Sequence, residues 1–359
     1  MSAKHSVATE YWHRLDNGKL QCDLCPRFCQ LNPGQRGMCF VRGRVDNEIR
    51  LLSYGLSSGF CIDPVEKKPL NHFLPGTPVL SFGTAGCNLA CHFCQNWDIS
   101  RSRQTERLCD SASPEQLVRA AVAHDCRSIA FTYNDPVVFH EYAIDVAKAC
   151  RQQGLRSIAV SAGYVCPAPR EAFYRHMDAA NIDLKAFTES FYRRICGGQL
   201  APVLETLEYI QHETDTWLEI TTLLIPGEND SDREIGQLSR WICTRLGADV
   251  PLHFTAFHPD WKMLDHPNTP LDTLQRARMI AREEGLHFVY TGNVHDDEGS
   301  TTYCPECDKA LIQRSGYIIK EWQLSTEGCC RFCGHRIPGV FDATPGHWGS
   351  KRMPIHINH

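Results

Sequence analysis

An α/β protein is predicted from this sequence: an incomplete parallel β/α barrel with a small cysteine-rich module at each end. Three observations carry the prediction. Between residues 78 and 292, short apolar runs rich in branched side chains alternate with amphipathic stretches of helical length. Those stretches carry helix start and stop residues at their ends. The third observation concerns the 19 cysteines. Eleven of them fall into three groups, two of which lie outside the alternating region.

In order, strands are expected at PVLSF (78–82), SIAFTY (128–133), RSIAVS (156–161), NIDLKA (181–186), WLEITTLLI (217–225) and PLHFTAF (251–257). HFVYT (287–291) is a weaker seventh. Continuous apolar runs suit parallel strands covered on both faces. Ser113-Pro114-Glu115-Gln116 has the pattern of a capping box with proline at the first helical position, opening a helix toward His124. Further helices are expected over 136–153, 231–246 and 270–284, each followed by a glycine suited to a left-handed cap: Gly154, Gly247 and Gly285. Six strand–helix units fall short of the eight in a closed barrel, so a partial (β/α)6 TIM-like barrel is favoured. An open doubly wound sheet is the alternative. The corresponding boundaries are 1–75 for an N-terminal cysteine-rich module, 76–298 for the core, and 299–359 for a C-terminal zinc-ribbon-like module and tail.

Charged residues at 22% and hydrophobic residues at 42% are those of a soluble globular protein. A net charge of -5 argues against nucleic-acid or membrane-surface binding driven by charge. No apolar run is long enough for a bilayer. The amino end, MSAKHSVATEYWHRLDNG, lacks the apolar segment of a signal peptide, so a cytoplasmic location is expected. In that compartment cysteines act as metal ligands or reactive thiols more often than as disulfides.

Cys87, Cys91 and Cys94, in CNLACHFCQNW, follow the first strand closely and so belong at its carboxyl end, where β/α proteins build active sites. Three thiolates hold three irons of a cubane and leave the fourth open. A three-cysteine zinc site completed by His92 or a remote residue is the alternative. Other strand ends carry polar groups: Asn134 and Asp135, Ser161, Asp183 with Lys185, and His258. Alternation sends Asp183 and Lys185 to the same side of their strand. Glu219 and Thr221 read as ordinary interior polar residues, and His347-Trp348-Gly349 as part of a surface tail.

Cys304-x2-Cys307, 22 residues, then Cys330-x2-Cys333 before Gly334 fits a zinc ribbon, with Cys329 as a possible substitute ligand. Such a module either pins the tail or docks a protein. Cys22-x2-Cys25-x3-Cys29-x9-Cys39 fits structural zinc or an auxiliary iron–sulfur centre, with zinc favoured.

Cys-x3-Cys-x2-Cys with Phe93 before its last cysteine resembles the signature of the radical S-adenosylmethionine (radical SAM) superfamily. A longer ordered set is similar to the radical SAM enzyme of the AmmeMemoRadiSam system, itself related to pyruvate formate-lyase activating enzymes. The set comprises CDLCPRFCQLNPGQRGMCFVR, CNLACHFCQNWDIS, NIDLKAFTESFYRRICGGQLAPVLETLEYI, TTLLIPGENDS and YCPEC with CRFCGHRIPGV. The resemblance implies a 4Fe-4S cluster on Cys87, Cys91 and Cys94. It further implies S-adenosylmethionine held among Phe93, Asn134, Asp135, Ser161, Asp183, Lys185 and His258. Reductive cleavage would give a 5'-deoxyadenosyl radical that abstracts hydrogen from a macromolecule, expected to be a protein. Strict glycyl-radical-enzyme activation is the narrower alternative. Memo-type or AMMECR-type proteins are the implied partners, with flavodoxin or ferredoxin as electron donor. Two departures stand out. Asn134-Asp135-Pro136 replaces the superfamily's Gly-Gly-Glu, and Val160-Ser161-Ala162-Gly163 lacks the Asp with which the activases bind a monovalent cation. A multi-zinc interaction protein on a decayed enzyme scaffold is the alternative from another class.

Overall fold

The computed structural model describes residues 5–101 and 110–357. Its centre is a nine-stranded sheet. The strands are β1 (Phe60–Pro64), β2 (Pro78–Phe82), β3 (Ser128–Phe131), β4 (Arg156–Ser161), β5 (Ala179–Asp183), β6 (Trp217–Leu224), β7 (Leu252–Ala256) and β8 (Val289–Gly292). In the C-terminal segment come β9 (Ala310–Ser315), β10 (Ile318–Trp322) and β11 (Met353–Ile355). β2 to β8 are parallel and lie side by side in chain order. That consecutive order differs from a doubly wound sheet, in which the order reverses at a switch point. The weak seventh strand candidate is a full member, paired along β7.

Helices α1 (Pro114–Ala123), α2 (His140–Gln152), α3 (Pro167–Tyr174), α4 (Ala201–Glu213), α5 (Asp232–Arg245) and α6 (Leu271–Glu283) alternate with these strands. The capping box at α1 is complete: Ser113 Oγ accepts from Gln116 N, and Gln116 Oε1 accepts from Ser113 N at 2.7 Å. The stretch before α2 differs from expectation. Pro136–Phe139 winds as a 3-10 turn, entered through Asp135, whose carboxylate accepts from Val137 N.

Two strands also end differently. β3 stops at Phe131, because Tyr133 takes a left-handed φ of 69° and turns the chain out of the sheet. β5 runs from Ala179 to Asp183 rather than over 181–186; its two alanines are fully buried between neighbouring strands, and Leu184-Lys185 leave the ladder. Two strands from outside 76–298 extend the sheet. β1 runs antiparallel to β2, and β11 runs antiparallel to β1. The tail segment expected on the surface therefore ends as a sheet edge.

Apolar residues of the strands and helices share one buried cluster, while a buried polar row is formed by Asn181, Glu219, Thr221, His253 and Thr255. Glu219 is its hub, accepting from Asn71 N (2.9 Å), His72 N (2.8 Å), Trp217 Nε1 (3.0 Å) and His253 Nε2 (2.7 Å). Burial alone would raise its carboxyl; the bonds from His253 outweigh that and hold it below the usual range. An unpaired buried N–H costs about 1–3 kcal/mol, so this carboxylate stabilises the segment around Asn71 and His72 against the strands.

The N-terminal module holds two small three-stranded antiparallel sheets within residues 7–51. Its Leu20, Leu24, Leu31, Val41 and Ile49 belong to the same apolar cluster as the β/α region. The C-terminal module is a three-stranded antiparallel sheet built on β9 and β10. Among the described residues, no helix is long and apolar enough to cross a membrane.

Candidate active site

The loop from β2 carries the three cysteines, and its path is dictated by close backbone packing. Gly86 has φ 80°, and a Cβ there would lie 1.8 Å from the carbonyl oxygen of Cys39. Only glycine fits beneath that carbonyl. Asn134 pins the same loop from β3: its Oδ1 accepts from Thr84 N (2.9 Å) and its Nδ2 donates to Gly86 O (2.7 Å). Downstream, Ala90 N donates to Cys196 O (2.8 Å) and His92 N to Ile195 O (3.0 Å), fixing the loop against the turn after β5.

Cys87, Cys91 and Cys94 line one cavity of about 300 Å³ at the carboxyl ends of the parallel strands. Phe93, Asn134, Asp135, Ser161, Asp183 and Lys185 share its wall, so most of the residues singled out in the sequence come together here. Lys185 Nζ lies 2.9 Å from Asp183 Oδ2 and 5.7 Å from the centre of the Phe93 ring. Burial alone would lower the Lys185 ammonium, but Asp183 with the Cys91 and Cys196 sulfurs outweighs it and holds the pKa well above the lysine range. The site therefore offers a fixed cation.

Asn134, Asp135 and Ser161 are engaged with the protein itself. The Asp135 carboxylate accepts from Val137 N (3.0 Å), Ala162 N (2.9 Å) and Ser161 Oγ (3.1 and 3.2 Å). Burial raises its pKa, opposed by the Val137 and Ala162 N–H groups. With Asn134, these residues tie the ends of β2, β3 and β4 into one bracket. His258 differs: its residue is exposed and lies outside the cavity wall. The strand end was legible, whereas the direction of the imidazole depends on the turn that follows.

Several groups at the site had no local signature. Cys196 is fully buried, and with burial it pushes the neighbouring Cys91 thiol well above its ordinary range. Lys67 and Asn293 line the cavity and also a neighbouring one of about 380 Å³. That second cavity is walled by Glu66, His253, His295, Arg314 and Tyr317, the last two from the C-terminal module. Burial pushes the Glu66 carboxyl up to about 7, with Arg314 opposing. Glu66 Oε1 accepts from Gly76 N (2.7 Å), while its buried Oε2 makes no hydrogen bond. The visible hint was the charged triplet Glu66-Lys67-Lys68 inside an otherwise apolar stretch.

The cysteine groups separate by spacing. Among the described residues, Cys304, Cys307, Cys330 and Cys333 form the group whose ligand atoms all lie within 4.8 Å of one another. Its Cys304–Cys333 and Cys307–Cys330 sulfurs are 3.6 and 3.7 Å apart. Those are the separations of a tetrahedral single-ion site, and Cys329 is not part of the set. Cys87, Cys91 and Cys94 are more widely spread, which suits a cluster of several metal atoms better than one ion.

Residues 82–238 match the family model described as the Radical SAM superfamily. The chain carries a radical SAM domain. The protein is 38% identical over 328 residues to the "Uncharacterized protein MJ0808" of Methanocaldococcus jannaschii, covering 91% of this chain and 97% of that one, and it belongs to the same family. It is 24% identical over 209 residues to the pyruvate formate-lyase-activating enzyme of Clostridium pasteurianum, covering 56% of this chain and 87% of that enzyme. Among solved structures, it is similar to a radical SAM methyltransferase from Sphaerobacter thermophilus, with 13% identity, 80% and 77% of the two chains covered, and a TM-score of 0.49. A radical SAM domain implies an enzyme, and one that uses an iron–sulfur cluster and S-adenosylmethionine. The open three-cysteine set and the Lys185 cation in one cavity fit those groups.

Proposed function

We propose that this radical SAM protein removes a hydrogen atom from a macromolecular substrate, a protein, in the cytoplasm. The observation that carries the reading is the convergence of three cysteines, Phe93 and the Asp183–Lys185 pair on one cavity at parallel strand ends. In this reading Cys87, Cys91 and Cys94 hold a 4Fe-4S cluster, and the absent fourth protein ligand leaves a place for S-adenosylmethionine. Bound together and reduced, the two supply a 5'-deoxyadenosyl radical, the agent of hydrogen abstraction. Lys185 pairs with the carboxylate of S-adenosylmethionine, and Asp183 orients the ammonium. Asn134, Asp135 and Ser161 serve by holding three strand ends in register around the cofactor.

The adjoining cavity receives the reacting part of the substrate. Its free Glu66 oxygen, carried on a carboxyl poised near neutrality, gives a hydrogen-bonding or proton-holding group there. Zinc at Cys304, Cys307, Cys330 and Cys333 keeps the hairpin that supplies Arg314 and Tyr317 to this wall. The consecutive strand order supports a partial (β/α) barrel spanning 76–298, between the modules 1–75 and 299–359. The ordered motifs support membership of the AmmeMemoRadiSam system, with Memo-type or AMMECR-type partners and a flavodoxin or ferredoxin as donor. Similarity to the C. pasteurianum activating enzyme favours a second, narrower reading, strict glycyl-radical activation.

Anaerobic reconstitution with iron and sulfide, then reduction with S-adenosylmethionine, should yield 5'-deoxyadenosine. A folded Cys87→Ala/Cys91→Ala/Cys94→Ala variant with undiminished yield refutes the proposal. With a partner present, a persistent glycyl radical in electron paramagnetic resonance selects activation, and a stable mass shift selects modification.

A further inference from the structure

Cys22, Cys25, Cys29 and Cys39 line a single cavity together with Leu24, Leu31 and Val138. All four thiols are free. At a zinc ion the sulfurs of four cysteines stand roughly 3.8 Å apart, since each Zn–S bond is about 2.3 Å. The C-terminal quartet meets that requirement, with sulfurs 3.6 and 3.7 Å apart. The N-terminal four do not: among the described residues, no three of them have ligand atoms all within 4.8 Å of one another. Four sulfurs too far apart for one ion but facing one cavity can be spanned by several bridged metal atoms.

The surroundings suit a dense anionic centre. Arg42 is almost wholly buried beside the group, its Nε donating to Val138 O (3.2 Å) and its Nη1 to Glu141 Oε1 (3.1 Å). Asn88, next to Cys87, forms part of the same cavity wall, and its carbonyl accepts from Arg27 Nε at 2.7 Å. Cys39 itself covers Gly86. The pocket thus backs onto the loop of the first three cysteines.

We propose that Cys22, Cys25, Cys29 and Cys39 ligate a second iron–sulfur cluster, fully held by protein, behind the Cys87 loop. This takes the iron–sulfur reading of the four cysteines over the zinc favoured from sequence, and it stands whether or not S-adenosylmethionine is cleaved at the other site. The test uses the full chain, reconstituted without oxygen, with iron, acid-labile sulfide and zinc counted per chain. The Cys87→Ala/Cys91→Ala/Cys94→Ala variant is expected to keep iron and sulfide in equal amounts, with one zinc at the C-terminal quartet. Two zinc ions and no iron in that variant, or an empty N-terminal pocket, overturns the proposal. Should that variant fail to fold, Cys22→Ser/Cys39→Ser is measured instead. It is expected to lose about half of the wild-type iron, and full retention overturns the proposal. Wild-type 5'-deoxyadenosine yield, measured separately, reports on the first site alone.

Discussion

At the amino end, four cysteines surround a cavity wedged beneath the Cys87 loop, and the apolar residues between them are part of the main core. At the carboxyl end, four cysteines converge as for a single ion, on a small sheet where Cys333 is exposed. Both read in the sequence as small appended cysteine-rich modules. They differ in what their cysteine-bearing segments adjoin. The amino-terminal module reaches the three-cysteine site through Cys39 over Gly86, and the carboxyl-terminal module reaches the second cavity through Arg314 and Tyr317. Cysteine spacing along the chain marks a metal site, but the spread of the sulfurs and their neighbours decide what that site serves.

The comparison can be broken most severely at Gly86. Gly86→Ala places a methyl group against the Cys39 carbonyl at a left-handed φ, with an expected loss of roughly 4 kcal/mol or more and of iron at Cys87, Cys91 and Cys94. Thermal unfolding with metal counting checks it; zinc at the carboxyl end should survive. Cys304→Ser should release the carboxyl-terminal metal at a cost of roughly 3 kcal/mol, yet spare cleavage of S-adenosylmethionine while abolishing substrate turnover. Equal loss of both activities would mean that the two modules do not divide the work as described. Arg314→Ala leaves the Asn71 carbonyl without its 2.7 Å donor, for about 2 kcal/mol by denaturant unfolding, and should act on the same side of the comparison.

Glu66 sharpens it through pH. The folded carboxyl titrates at about 7, above the 4.5 of an exposed glutamate, so the folded state holds the proton more tightly. That contribution to stability is complete below pH 4.5 and disappears as pH rises through 7. Glu66→Gln should remove the dependence, so that between pH 5 and 8 the wild type loses roughly 1–3 kcal/mol relative to the variant. Melting temperatures at the two pH values test this. The smallest effect belongs to His258→Ala: with the residue exposed and outside the cavity, stability and 5'-deoxyadenosine yield should stay within about 0.5 kcal/mol of wild type.

Features set by local pattern were legible in the sequence. The strand 78–82 and the start of α1 appear where branched runs and a capping box place them. The three cysteines and Asp183 were legible too, because strand ends are set by local pattern, whereas Lys185 reaches the same cavity from beyond the end of β5. Contacts between distant segments were not. Asn134 lines the cavity as expected, but the bonds of its amide to Thr84 N and Gly86 O join segments far apart in the chain. Ala179 and Ala180 gave little strand signal, since their place in β5 comes from burial between neighbours. Glu66 and Arg314 meet across a cavity although one precedes the core and the other follows it.

β11 pairs with β1 even though the chain from residue 65 to 352 separates them. Closing so large a loop costs chain entropy that is recovered only after the intervening β/α units are in place. In refolding, backbone amides of β1 along that edge should gain protection last, after those of β4 and β5. Until then the β1 edge is open to intermolecular strand pairing, so dilute conditions and a chaperone should raise the recovered yield.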